Sequence, residues 1–230
     1  MKRYGADFFD EEYFTKDTKS SYGFSNPRGG YTREIYLPFK IEQCAQILDM
    51  AGYTFGKKFG KSRLPNNVLV LGCAVGYLVE TLQKNAKVDA MGIDISAYAI
   101  GRGVNEGIKN LFVGDVCELD KNNIKDNMFE LVISMEVLEH IPEDDGQLSK
   151  AIDEHIRVTK DFLVVSTPIG KETNEPTISI GKNKNPSHFS LHSPNWWANE
   201  FEKRGMKTFQ QFESKGVCVI VFEKPCTKTN

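Results

Sequence analysis

Two carboxylates and an imidazole stand at positions i, i+3 and i+4 of the segment EVLEH: Glu136, Glu139 and His140. A helix over that segment sets all three side chains on one face. Converging carboxylate oxygens and a ring nitrogen can hold a divalent cation. An imidazole, titrating at about 6.5 when unperturbed, can instead take or relay a proton as a general base. His188, in NPSHFSLHSPNWW, is a fourth candidate ligand. The structural alternative makes Glu136 a helix cap, Glu139 the partner of a nearby base and His140 a satisfied, partly buried histidine. The role favoured here is proton acceptor for His140, with Glu136 and Glu139 in support. No metal is assigned, and Glu136, Glu139, His140 and His188 remain the candidates should one bind. His155, mid-helix in AIDEHIRV, reads as a solvated or packing residue; His192 belongs to a loop or to the site.

A second group of residues is suited to holding a ligand by its backbone. Gly72-Cys73-Ala74-Val75-Gly76 follows the apolar run VLVL, and a turn this small lets main-chain N–H groups approach a ligand at a helix start. The pattern is not GxGxxG, which disfavours a dinucleotide site. Asp94 follows a second apolar run and can accept both ribose hydroxyl hydrogens. Asp115, after NLFVG, can accept from an exocyclic amine. Cys73 has no adjoining base in sequence and is not marked as a nucleophile.

These residues need elements to bring them to one edge. Apolar runs at 68–72, 88–94, 110–115, 129–135 and 162–168 read as strands, with helical patterns at 36–52, 77–85, 97–106, 145–159 and 193–205. Two final strands, MKTFQQFES and GVCVIVFEK, are joined at Lys215-Gly216. Alternating strands and helices imply right-handed crossovers, hence an α/β fold: a doubly wound, Rossmann-like, mostly parallel seven-stranded sheet with one antiparallel strand. Ligands of such sheets bind beyond the carboxyl ends of the strands, where both groups of residues fall. The chain divides into residues 1–60, an N-terminal arm and helix that cover the substrate, and residues 61–230, the cofactor-binding domain. Phe8, Phe9, Tyr13, Phe14, Tyr22 and Phe24 give the arm apolar surface to bury, and Tyr13, Tyr22, Tyr31 and Arg28 are candidate lid contacts. Trp196 and Trp197 read as packing for the last helix.

Composition narrows the class. No apolar run is long enough to span a bilayer, and five scattered cysteines without a CxxC pair fit neither a disulfide framework nor a zinc knuckle. The expectation is a cytoplasmic protein without membrane contact. A net charge of −2 makes nucleic acid an unlikely partner. Oligomeric state is not legible.

VLVLGCAVGYL, MGIDIS, GDVCELD and FELVISMEVLEHIP, in that order, resemble the motif set of class I S-adenosylmethionine (SAM)-dependent methyltransferases, over residues 64–168. The resemblance implies SAM as cofactor and S-adenosylhomocysteine (SAH) as product. It places Gly72, Cys73, Ala74 and Gly76 around the methionine moiety, Asp94 on the ribose and Ile95 on the adenine. Asp115 and Val116 are implied at the adenine edge, and the backbone of Ser134 and Met135 at the sulfonium end. Val70 stands where the family usually has an acid, and Ala74 where it has its middle glycine. The arm and the SPNWW helix resemble sugar and surface-polysaccharide methyltransferases, which implies O-methylation of a small hydroxylated acceptor, a sugar or glycan precursor among the candidates. EVLEH with His188 is similar to the Mg²⁺-dependent 2′-O-methyltransferases of small-RNA 3′ ends. Metal-dependent RNA methylation is therefore the second reading, and a non-enzymatic SAM- or nucleotide-binding module the third.

Overall fold

The structure, a computed structural model, describes residues 5, 7–15, 31–53, 64–170, 187–214 and 216–225. Seven strands form one sheet: β1 (Asn67–Leu71), β2 (Asp89–Asp94), β3 (Leu111–Val113), β4 (Phe129–Met135), β5 (Thr159–Pro168), β6 (Lys207–Ser214) and β7 (Val217–Glu223). Their order is β3-β2-β1-β4-β5-β7-β6, with β7 antiparallel to both its neighbours and the other pairings parallel. The order reverses between β1 and β4, so the crevice of a doubly wound sheet opens above Gly72 and Met135.

Strand periodicity splits the apolar residues between two layers. Val68, Val70, Leu131, Ile133, Val164 and Val221 face one core. It is covered by α2 (Arg33–Met50), α3 (Tyr77–Thr81) and α4 (Ala97–Asn105). Leu69, Leu71, Val132, Leu163, Val165, Ile220 and Phe222 face the other, under α5 (Gln147–Val158) and α6 (Pro194–Glu202). Because both faces are covered, the central strands are apolar at every position, as their sequences are. Ser193 caps α6 through a bond from the Trp196 N–H, Pro194 occupies its first turn, and Trp197 is buried beneath it as packing. No described helix is long and apolar enough to cross a membrane. Cys44, Cys73, Cys117 and Cys218 are buried free thiols.

One glycine fixes how closely α4 approaches the turn after β1. A Cβ on Gly103 would land on the Val75 carbonyl oxygen, which is backbone and has little room to yield. Gly103→Ala is therefore expected to cost about 1–3 kcal/mol of overpacking. That outweighs the roughly 1 kcal/mol of helix propensity alanine gains. Denaturant unfolding checks the sign; a stabilised variant would contradict this packing.

The expected elements appear with shifts of a few residues, apart from one. The segment after β4 is not an α-helix. Glu136 sits in the left-handed region at φ 58, and only Leu138–His140 closes a single 3-10 turn. Its N–H is already committed to the Ser166 carbonyl of β5 at 3.0 Å, so the chain leaves the sheet as a turn. The one-face, i, i+4 presentation of Glu136, Glu139 and His140 is accordingly corrected.

Candidate active site

The rim expected to hold the cofactor is built from the ends of β1, β2 and β3. Ala74 adopts the left-handed conformation at φ 50, where an alanine costs about 1–2 kcal/mol. Its N–H donates to Asp94 Oδ2 at 2.7 Å, and the Ser96 N–H donates to Asp94 Oδ1 at 2.8 Å. One carboxylate thus ties the strand-one turn to the strand-two turn. Burial raises the Asp94 pKa, against these two hydrogen bonds, which lower it. Gly76, at φ 94, opens α3, and Cys73 is buried against Gly92. Ile95 is half-buried on the same rim. Half-buried Asp115 accepts from the Cys117 N–H at 2.8 Å, and Val116 is buried beside it.

Across the crevice, Ser134 pairs in register with Leu71, putting the end of β4 next to Gly72. Its hydroxyl turns away to His155 Nε2, 2.9 Å distant. His155 Nδ1 contacts the Ala151 carbonyl at 2.6 Å, so this ring is a neutral, fully buried packing residue, its pKa pushed down to about 4 by burial. Half-buried Met135 leads to Glu136, whose Oε1 accepts from Ser166 Oγ at 2.8 Å. Its Oε2 is buried without a partner. Burial raises the Glu136 pKa, opposed by the Ser166 hydrogen bond and by the charge of Lys40 on α2. Burial in turn lowers Lys40 to about 8, with Glu136 pulling the other way.

Glu139 is 0% exposed, and neither carboxylate oxygen has a hydrogen-bond partner. Burial, reinforced by the charge of Glu136, holds its pKa well above the usual carboxylate range. Its backbone carbonyl accepts from Phe189 and Ser190 N–H groups at 2.7 and 3.1 Å, which fastens segment 187–192 against the turn. That segment delivers two groups to His140. The Ser187 carbonyl lies 3.0 Å from Nδ1, and the His188 ring packs at 5.0 Å. A carbonyl can only accept, so Nδ1 carries the proton and Nε2 keeps its lone pair, 3.8 Å from Glu139 Oε1. Burial lowers His140 to about 4, and burial with the neighbouring His140 lowers His188 to about 3.

One ligand atom each from Glu139, His140 and His188 fits within 4.8 Å of the others. Glu136, expected in that set, instead bonds to Ser166. His192 stacks on Trp196 at 3.4 Å and bonds Glu143 at 2.9 Å, outside this cluster.

Two residues of the arm, Phe9 and, in α1 (Glu11–Thr15), Phe14, contact Ser96, His140 and Tyr98. The Ser96 hydroxyl donates to the Phe9 carbonyl, and the Phe9 ring meets His140 edge-on at 5.6 Å. Phe14 is buried over Tyr98, and its carbonyl accepts from the Tyr31 N–H at 2.9 Å. Tyr31 stacks on Tyr36 at 4.3 Å. Burial and the nearby Glu139, Asp94 and Tyr36 push Tyr13 up to about 12. Of the candidate lid contacts, Tyr13 packs on Phe9 and Phe14 and Tyr31 on Phe14 and Tyr36; Tyr22, Phe24 and Arg28 lie outside the described residues.

Sequence reasoning missed Ser96, Ser166 and Lys40. Ser96 carried a signal as the residue before a helix, and it does cap α4. Ser166 could have been sought at the end of strand five; nothing local pointed to Lys40 or to the Ser187 carbonyl.

The methyltransferase-domain family matches residues 69–162. Among solved structures, the fold is similar to a putative sarcosine dimethylglycine methyltransferase from Galdieria sulphuraria. That match has TM-score 0.60 at 16% identity and covers 85% of this chain and 88% of that one. A SAM-dependent methyltransferase from Archaeoglobus fulgidus matches with TM-score 0.56 at 18% identity, over 83% and 100% of the two chains. One from Aquifex aeolicus matches with TM-score 0.55 at 17% identity, over 82% and 98%. A search of curated proteins finds no match. The family match falls on the segment that holds the small turn, Asp94, Asp115 and EVLEH: residues 69–162 match a methyltransferase domain, and the chain has the fold of SAM-dependent methyltransferases.

Proposed function

We propose that the acceptor is a small hydroxylated molecule, a sugar or glycan precursor among the candidates, and that it is methylated on oxygen with His140 taking the hydroxyl proton. The observation that carries this reading is the His140 tautomer. Nδ1–H is spent on the Ser187 carbonyl, which leaves the Nε2 lone pair free at the acceptor end. In this reading Gly72, Cys73, Ala74 and Gly76 flank the methionine moiety, Asp94 holds the ribose, Ile95 packs on adenine, and Asp115 with Val116 meets the adenine edge. Asp94 already accepts two N–H groups, but a carboxylate offers about four lone-pair sites, so the ribose hydroxyls find acceptors there. Ser134 and Met135 line the sulfonium end with their backbone. Residues 1–60 supply the cover that excludes water.

The step itself breaks the sulfonium C–S bond as the acceptor oxygen bonds to the methyl carbon. The proton passes to His140 Nε2, leaving a methyl ether and SAH. A buried imidazole with a lowered pKa is a weak base unless the imidazolium is compensated; Glu139, 3.8 Å from Nε2, would do so once the cationic sulfonium, entering the site, favours ionisation of its carboxyl. Labelled-methyl SAM, offered with hydroxylated sugars and glycosides, amines and a small RNA duplex, tests the acceptor class. Label on the hydroxylated compounds supports the proposal; label on amines alone, or on RNA alone, overturns it.

A second reading rests on Glu139, His140 and His188. An orphaned buried carboxylate and an imidazole whose other nitrogen is locked by a carbonyl are the donor set and outer support a divalent cation uses. A cation bound there would act as a Lewis acid on an acceptor oxygen. On this reading Mn²⁺ binds the wild type at one per chain by calorimetry and is lost in Glu139→Ala, and EDTA abolishes transfer. Transfer unaffected by EDTA leaves the metal-free reading.

A further inference from the structure

We infer that Phe9 is a positioning residue that holds the His140 imidazole in register with the cofactor turn. The inference rests on the His140 reading above and assigns a function to one residue of the arm. Three consecutive links join the two halves of the site. Asp94 accepts from the Ser96 N–H, and the Ser96 hydroxyl donates to the Phe9 carbonyl. That hydroxyl also caps α4 by accepting from the Ala99 N–H at 3.1 Å, so its direction is fixed by a helix. The backbone of residue 9 is therefore pinned to the turn that holds the ribose acid. From there the Phe9 ring reaches the His140 imidazole edge-on, at an interplanar angle of 82°.

His140 is consequently held from two sides, by Phe9 at 5.6 Å and His188 at 5.0 Å. Its one hydrogen bond, to the Ser187 carbonyl, defines which nitrogen is protonated only while the ring keeps its orientation. A half-turn of the imidazole about its Cβ–Cγ bond would put Cδ2 where Nδ1 stands and Cε1 where Nε2 stands, losing the Ser187 hydrogen bond and turning the Nε2 lone pair away. The Phe9 ring stands against that motion. It is itself buttressed by Phe8 at 5.1 Å and Tyr13 at 5.0 Å, both from the arm. Docking of the arm thus completes the acceptor side and does more than cover it.

Histidine-labelled protein in its SAH complex gives a direct readout by ¹⁵N NMR. The wild type should show one slowly exchanging Nδ1–H for His140, assigned by its disappearance in His140→Gln. Phe9→Ala should lose or broaden that signal and, with whichever hydroxylated compound the wild type methylates, lower kcat about tenfold. The SAH dissociation constant should stay within about threefold of wild type. A loss of about 1.4 kcal/mol corresponds to that tenfold change. Phe9→Tyr, which keeps the ring, should restore both signal and kcat; a role in stability alone would instead appear as a lowered Tm with the His140 signal intact. An unchanged His140 signal in Phe9→Ala overturns the inference, and so does an unchanged kcat where His140→Gln has lost turnover. If His140→Gln keeps its turnover, the base assignment is at fault, and the NMR signal alone still decides whether Phe9 positions the ring.

Discussion

His140→Ala is expected to lower methyl transfer by about 10²–10⁴-fold, the range a positioned general base contributes. SAH should bind within about threefold of wild type, because the expected cofactor contacts lie on the opposite rim at Gly72–Gly76, Asp94 and Asp115. The size of the effect follows from the way the ring is prepared. Burial keeps the imidazole neutral down to about pH 4, and the Ser187 carbonyl fixes the proton on Nδ1. Nε2 is thus a permanently available acceptor throughout the physiological range. Removing it leaves water to take the proton. Added imidazole should recover part of the lost rate if the role is basic. If the role is metal ligation, added Mn²⁺ should recover more. Steady-state transfer of labelled methyl, with calorimetry for SAH, checks both halves; unchanged turnover removes the base assignment.

Asp94→Ala carries the second large effect, on the cofactor. Two ribose hydroxyls donating to an ionised carboxylate are each worth about 1.5–3 kcal/mol. Their loss should weaken SAH binding by at least about 100-fold. The variant also strips the Ala74 and Ser96 N–H groups of their acceptor, while Ala74 keeps its left-handed strain. Part of the loss will therefore show as lower stability. Asp94→Asn separates the two: its amide oxygen can still accept one N–H, so folding should be largely kept while ribose binding remains weak. Calorimetry with SAH and thermal unfolding of both variants check this. Wild-type affinity in Asp94→Asn would place the ribose elsewhere.

Much of this architecture is legible in the chain. The apolar strands β1, β4 and β5 announce a sheet buried on both faces, and the Gly, Asp and Asp residues at the ends of the first three strands mark its ligand rim. The segment EVLEH was misleading because its spacing satisfies a helix while its first residue cannot begin one. The Glu136 N–H belongs to Ser166 of β5, a bond the local pattern does not encode. The tautomer of His140 depends on Ser187 and its orientation on Phe9, contacts that exist only after the loop and the arm fold over the sheet. His155 reads as an ordinary helical residue, yet it is buried and bonded to Ser134 across the α5–β4 contact. Local sequence thus reports the scaffold and the turns at its strand ends. The acceptor side is assembled from segments distant along the chain.

A crystal structure of the SAH complex tests the central claim most directly. The account predicts the adenosine between Asp94 and Asp115, the sulfur directed across the end of β4 toward His140 Nε2, and the arm still docked through Ser96 and Phe9. SAH with its ribose away from Asp94, or with its sulfur turned away from His140, would contradict it.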